Sequence, residues 1–394
     1  MMNKILSGVL LTGMLAGTPV MAQWTVQTST TTEQLNAVYA TSATAAFAVG
    51  NNGVARKTTN GGTTWTTMSV DGTTEHITGV TFVSASMGYT CGAAQHVYET
   101  TNGGATWDNI GMGMTDLYDI TAVSGSVWVC GDEEVGFGFL YNPITMALKQ
   151  PTAVAGKKLH GVHLQGSSNG WAVGEGGVII KTTNGGSAWT AQTAGTTQTL
   201  NKVRFFTAND GIIVGNAGTI LRTTNGGTTW AATTVGTQNL NAVYYGSATQ
   251  IWIAGNGGTI LYSSNGGTTW STQTTGMTTD LNGIGGYGTG TVWACGDGGK
   301  MLKYSGGATE AVTLPITEPE VAVYPVPAQG SIAVSWAGVD QVTVRLTDVT
   351  GREVLHVADV APGSQMDVSG LSAGSYFAHC SAGDVQVVKH IVIR

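Results

Sequence analysis

Along most of this chain apolar and polar positions do not follow the 3.6-residue period of helices. Short apolar or alternating runs recur instead, as in residues 35–40 (LNAVYA) and 45–50 (AAFAVG). They are separated by Asn-Gly and Gly-Gly steps. Runs of this length between such turns predict β-strands joined as hairpins.

The strands come in fours. After residues 35–40 and 45–50, an NNG turn leads to a third run at 54–59, and an NGG turn leads to a fourth at 63–70. The last turn belongs to an eight-residue string, TTNGGTTW (58–65), which returns unchanged at 223–230 and nearly so as TTNGGATW (100–107), TTNGGSAW (182–189) and SSNGGTTW (263–270). Its tryptophans set the period: 42 residues from Trp65 to Trp107, 41 from Trp189 to Trp230, 40 from Trp230 to Trp270. The interval from Trp107 to Trp189 is 82 residues, so a degenerate copy lies between, at YNPITMAL (141–148) with Leu148 in the tryptophan place. A seventh copy starts at Leu281 and decays after Ser305. A period of 40–45 residues with four strands per unit marks propeller blades. The predicted fold is therefore all-β, a seven-bladed β-propeller followed by a small C-terminal β-sandwich.

The repeated string reads as a turn and a staple. Asn60, Asn102, Asn184, Asn225 and Asn265 accept backbone hydrogen bonds as Asx turns do. The glycines permit positive φ. Trp65, Trp107, Trp189, Trp230 and Trp270 plug the blades. A propeller must also close, or its end blades expose strand edges. The seventh copy lacks a fourth strand, while QWTVQT at 23–28 stands in phase, Trp24 lying 41 residues before Trp65. The expectation is that this segment supplies the missing strand, beside residues 300–304.

TTNGGTTW resembles the Asp-box of sialidase-type propellers, with Asn in the Asp place. Longer units such as VGNAGTILRTTNGGTTW (214–230) resemble the repeats of the photosystem II stability/assembly factor family. The resemblance runs over about residues 23–305 and implies the fold; it says little of function, because the motif is a turn wherever it occurs.

Two further segments flank the repeats. Residues 1–22 read as a secretory signal peptide, with Lys4, an apolar run and a small-residue site before Gln23. Residues 306–320 read as a linker and 321–394 as the β-sandwich. The latter resembles the C-terminal sorting domain, type A, of the type IX secretion system. Pro325 and Pro327 in YPVPA, Asp348, Gly351 and Arg352 in DVTGRE, and Leu371, Gly374 and Tyr376 in LSAGSY carry that resemblance, and Val326 stands where the family usually has Asn. It implies a route through the periplasm to the outer surface or medium, and the type IX machinery as a partner.

Composition narrows the chemistry. Charged residues are 10% of the chain and the formal net charge is −7, so nucleic acid is excluded as a partner for want of a basic footprint. No stretch after the signal segment is apolar enough to span a membrane. Cys91, Cys130 and Cys295 take the place of Val at one strand position, and with Cys380 they read as free thiols. A sialidase needs three arginines around its substrate carboxylate and an Arg-Ile-Pro segment. The propeller has only Arg56, Arg204 and Arg222, and no such segment. GSSNG (166–170) matches a nucleophile elbow in letters, but its hairpin context lacks the following helix. His160 and His163 lie three apart on a strand and point to opposite faces. The acidic run at 132–134 reads as a solvated loop before a weak calcium site. No cofactor and no metal are expected.

One constellation remains. The second residues of the first strands read Asn36, Thr78, Thr121, His160, Asn201, Asn241 and Asn282, a ring near one mouth whose uncharged groups suit a sugar or a peptide backbone. The plainer reading, that they satisfy backbone groups between blades, stands first. The function that fits is an exported, non-catalytic module binding a glycan or protein at the cell surface or after release. An assembly factor like the photosystem family is the alternative; a secreted sialidase-like hydrolase is disfavoured.

Overall fold

The computed structural model describes residues 23–111, 116–123, 125–132, 137–305, 322–336, 341–382 and 385–394. The leader at 1–22, Glu133 and Glu134 of the acidic run, and the linker at 306–320 lie outside the described residues, as do the side chains of Pro325 and Pro327.

Seven four-stranded antiparallel sheets follow one another, six of them with their strands in chain order from the axis outward. Their inner strands are Leu35–Ala40, Ile77–Phe82, Leu117–Val123, Leu159–Gln165, Leu200–Phe205, Leu240–Tyr245 and Leu281–Tyr287, which number blades 1 to 7. Blade 7 takes its outer strand from the other end of the repeat region: Gln23–Gln27 pairs antiparallel with Met301–Ser305, Trp24 opposite Tyr304. The degenerate blade 3 keeps all four strands. Asn142 builds its turn by accepting from the amides of Ile144 and Thr145, both at 3.0 Å, but Leu148 does not take the tryptophan place: it pairs opposite Tyr141 as Thr67 pairs opposite Arg56 in blade 1, two residues past the tryptophan, and is 41% exposed.

The apolar cores sit between blades rather than within them. One cluster joins Trp171, Val173 and Ile179 of blade 4 to Leu200, Val203, Phe205, Ile213 and Leu221 of blade 5. Another joins Leu35, Ala48 and Trp65 of blade 1 to Trp293, Cys295 and Met301 of blade 7. The staple is thus an inter-blade device: Trp65 meets Trp293 edge to face at 6.5 Å, and Trp189 meets Trp128 at 6.0 Å. The four cysteines are free and buried.

This arrangement explains the double glycine. In blade 2 the second glycine, Gly104, has φ +81°, and a Cβ there would stand 2.9 Å from the ring of Phe47 in blade 1. At Gly186, with φ +88°, a Cβ would run into the indole of Trp128. A positive φ and a neighbour's aromatic side chain together leave room only for glycine. The turn itself is wired by its first residue. The buried Thr223 hydroxyl donates to Asn225 Oδ1 at 2.9 Å and accepts from the Gly227 amide at 2.9 Å, while Asn225 Oδ1 accepts from the Thr229 amide at 3.0 Å.

The third strand adds a clasp that nothing in the turn motif announces. Lys57, Lys181 and Lys303 each reach the next blade's first turn glycine, donating to the carbonyls of Gly103, Gly226 and Gly61 at 2.7 Å. Each ammonium lies over an aromatic ring of its own blade: Phe47, Trp171 or Trp293. Arg222 makes the equivalent bond to Gly266.

The C-terminal unit is a small all-β domain. Glu353–Val360, Val342–Asp348, Gly374–Ala382 and Val385–Ile393 are consecutive neighbours, and Ala322–Gln329 continues the order to Ser331–Ser335 and Gln365–Asp367. One core, including Ile332, Val344, Leu346, Ala378 and Ile391, serves them all. Its motif residues build turns. Asp348 accepts from the amides of Thr350 and Arg352 at 2.9 and 3.1 Å, Gly351 has φ +85°, and the Tyr376 hydroxyl donates to the Ser372 carbonyl at 2.7 Å.

Replacing Trp24, 4% exposed in the seam of blades 6 and 7, by Ala should cost about 3–5 kcal/mol. Deleting residues 23–27 should lower the melting temperature further and promote oligomers by freeing the edge of Met301–Ser305. Both are read by calorimetry with size-exclusion chromatography. In the blade 5 turn, Thr223→Val and Asn225→Ala should each cost about 1–3 kcal/mol in denaturant titrations. Thr228→Ala, whose hydroxyl only bonds the Asn225 carbonyl on the surface, should stay within about 0.5 kcal/mol.

Candidate functional site

The inner strands meet around an axial lumen of about 330 Å³. Each opens with an apolar residue followed by a bulge, and the register identifies the bulged residues as Asn36, Thr78, Tyr118, His160, Asn201, Asn241 and Asn282. Thr121 does not belong to this ring. Blade 3 begins pairing at Leu117, so Tyr118 takes the place and Thr121 falls three residues further along. The reading from sequence started this strand too late because Tyr118 and Asp119 break the Leu-Asn pattern of the other copies.

The asparagines of the ring tie blade to blade. Asn36, Asn201, Asn241 and Asn282 each donate Nδ2 to a main-chain carbonyl opening the next blade: Ile77 at 2.8 Å, Leu240 at 2.9 Å, Leu281 at 2.9 Å and Leu35 at 3.2 Å. Each also bonds within its own blade, to Asn51, Asn216, Asn256 or Asp297. Thr78 bonds the Leu117 carbonyl at 2.7 Å in the same manner. In the remaining two blades Tyr118 and His160 lie ring against ring at 5.3 Å. The Tyr118 hydroxyl donates to Asp132, which also pairs with Lys158 at 2.9 Å. Asp132 is buried at 7% exposure, and the expectation of a solvated acidic loop is corrected at this residue.

Three residues beyond the bulge, the strands present a second ring: Tyr39, Thr81, Thr121, His163, Arg204, Tyr244 and Gly285, all lining the lumen. Here the repeat gives way to individual chemistry. The Tyr39 and Tyr244 hydroxyls donate to the carbonyls of Phe82 and Gly288, both at 2.9 Å. Thr121 Oγ1 accepts from the Leu164 amide at 3.1 Å. Burial, with Arg204 nearby, pushes the His163 imidazole down to about 3, so it is neutral at physiological pH.

Between the two rings lies a charged cluster. The carboxylate of Asp119 accepts from the amides of Ile120 and Val162 at 2.9 and 3.0 Å and from Lys202 at 2.7 Å, with Arg204 at 3.5 Å. Burial raises its pKa, but Lys202 and then Arg204 outweigh that and hold it below the ordinary carboxylate value. The cluster spans blades 3 to 5, Lys202 passing over Gly161 of blade 4, where a Cβ would crowd the Lys202 Cα at 3.0 Å. Sequence reading missed it, because residues 83 positions apart share no local pattern; the one signal was the pair of departures from Ala or Gly at the third place of the first strands.

Comparison with known proteins agrees with this geometry. Residues 149–239 match the family model described as photosynthesis system II assembly factor YCF48, and residues 322–394 match the secretion system C-terminal sorting domain. Among solved structures, YCF48 from Cyanidioschyzon merolae superposes with a TM-score of 0.57 at 18% identity, covering 72% of this chain and 99% of that one. A structure titled YCF48 bound to D1 peptide gives 0.58 at 20% identity, covering 72% and 96%. The WD40 propeller domain of Doa1 gives 0.59 at 9% identity, covering 73% and 97%. These likenesses show the fold, a β-propeller. Among curated proteins none matches. The sorting tail implies export to the cell surface or medium, and among the described residues no helix is long and apolar enough to cross a membrane.

Asp119 contributes stability that is full above its unfolded pKa of about 4 and is lost as pH falls through its lower folded value. Asp119→Asn leaves the part-buried Lys202 without its counter-charge in a pair whose acid is buried, and should cost about 3–5 kcal/mol at pH 7. The gap between wild type and variant should narrow progressively as pH falls below about 4, read from urea midpoints across pH.

Proposed function

We propose that this chain is an exported, non-catalytic binding module whose propeller seats a glycan or a protein segment in its axial lumen, at the cell surface or after release. The observation that carries the reading is the second ring, where polar and aromatic groups from separate blades converge on one cavity. The asparagine ring serves this seat indirectly, by fixing the inner strands; of the residues first singled out, Asn36, Thr121 and Asn282 border the lumen. The sorting tail supports delivery to the exterior by the type IX machinery.

The match to the YCF48 family, and a relative whose title names a bound D1 peptide, favour a protein segment as ligand and support a second reading as an assembly factor for a surface complex. A sialidase-like centre finds no support in the arginines. Arg56 is buried in bonds to the carbonyls of Ser29, Ala55 and Thr30, and Arg222 is spent on Gly266, leaving Arg204 alone in the lumen.

The test is a glycan array and a surface-protein crosslinking screen run with the chain from residue 23 onward, alongside cell fractionation. Selective capture that Tyr244→Phe or Arg204→Ala weakens tenfold or more, with the protein on the surface or in the medium, is the expected result. Recovery only on inner membranes, or capture indifferent to every lumen substitution, would sink the reading.

A further inference from the structure

The lumen is electrically unbalanced. Lys202 and Arg204 bring two positive charges to it and Asp119 brings one negative. His163 adds none, being neutral. One positive charge is therefore left over in a partly water-excluded cavity.

The surplus is also available. Asp119 is spent: its side chain is 2% exposed and its oxygens already accept from two backbone amides and Lys202. The Arg204 side chain is 28% exposed. Its Nη1 donates to the carbonyls of Val162 and Val203 at 3.2 and 2.9 Å. Its Nε and Nη2 have no hydrogen-bond partner among the described residues. Lys202 uses one of its three protons on Asp119 at 2.7 Å. A guanidinium with free Nε and Nη2 protons, and an ammonium that shares Asp119 with it, suit a planar oxyanion.

Charge and surroundings select among anions. One surplus charge balances a carboxylate and is overfilled by a doubly charged phosphate. The Tyr39 and Tyr244 hydroxyls have committed their protons to main-chain carbonyls, so their oxygens remain as acceptors for a ligand's hydroxyls. Beyond them Phe206, 41% exposed, stacks on Tyr245 at 5.8 Å and gives the lumen an aromatic wall. The volume of about 330 Å³ stands at the small end of ligand pockets and admits a molecule of one-sugar size.

We propose that the lumen is an anion site for the carboxylate of a small hydroxylated acid, held by Arg204 with Lys202 beside it. The proposal rests on the reading of the propeller as a binding module and names the ligand chemistry of its site. The carboxylate has two sources that the site would treat alike at Arg204: a free small acid, or a uronic acid residue of a glycan.

The experiment uses the chain from residue 23 to 394 and titrates sodium glucuronate, sodium acetate and glucose at matched ionic strength, read by calorimetry and by thermal shift. Glucuronate should bind and raise the melting temperature in a dose-dependent way, glucose should not, and added salt should weaken binding. Glucuronate binding at least tenfold tighter than acetate supports the site, and a smaller margin overturns the claim of a hydroxylated acid; a uronic acid disaccharide that binds tighter than glucuronate identifies a glycan as the source, and one that binds no tighter identifies a free acid. Arg204→Ala should abolish binding and Arg204→Lys should weaken it about tenfold or more. The comparison of glucuronate with glucose needs no variant, so a variant that fails to fold does not decide the matter. No response to either carboxylate, or an equal response to glucose, overturns the anion site. If array or crosslinking capture persists in that case, the binding-module reading stands without it.

Discussion

The second glycine of each turn receives a large side chain of the preceding blade, and the ring depends on that contact. Gly104 against Phe47, Gly186 against Trp128 and Gly62 against Trp293 are the same joint at different seams. A blade of four short strands buries too little by itself to be stable. In blades 1 and 7 the aromatic, the lysine and the inner-strand asparagine are all satisfied by the next blade, and the other blades keep part of that set. Stability is therefore held by nearest-neighbour interfaces, as in other repeat architectures.

Such a chain of interfaces has two loose ends unless it closes. At the seam between blades 7 and 1 the same parts recur from opposite ends of the propeller region. Trp65 packs on Trp293, Lys303 reaches Gly61, and Asn282 reaches the Leu35 carbonyl, while Gln23–Gln27 completes the sheet. The closing seam is thus built from the ordinary inter-blade contacts plus one exchanged strand.

Individuality lies at the axis. Outside it, positions are constrained by identical neighbours and the repeat is kept. At the third and fifth places of the inner strands, side chains meet across the lumen, and each blade can differ. Asp119, Lys202 and Arg204 are departures of this kind, and they turn a neutral ring of small residues into a charged site. The degenerate blade 3 supplies both Asp119 and the aromatic Tyr118, and blade 5 supplies Lys202 and Arg204, so the asymmetry comes from two blades.

The strands, the blade count and the small C-terminal β domain were legible in the sequence, because the interactions behind them are local. Thr223, Asn225 and Gly227 bond within a few residues, so their spacing shows directly as a period. The inter-blade use of Trp65, the lysine clasps and the Asp119–Lys202 pair were not legible, since they join residues from 46 to 242 positions apart with no pattern linking them. Placing Thr121 in the wrong ring has the same origin. A one-residue bulge sets which side chains face the axis, and only the pairing of Leu117 with Gly131 and Asp119 with Cys130 fixes where that bulge falls. The sequence alone determined the blades; which groups share the lumen was decided by how the ring brings them together.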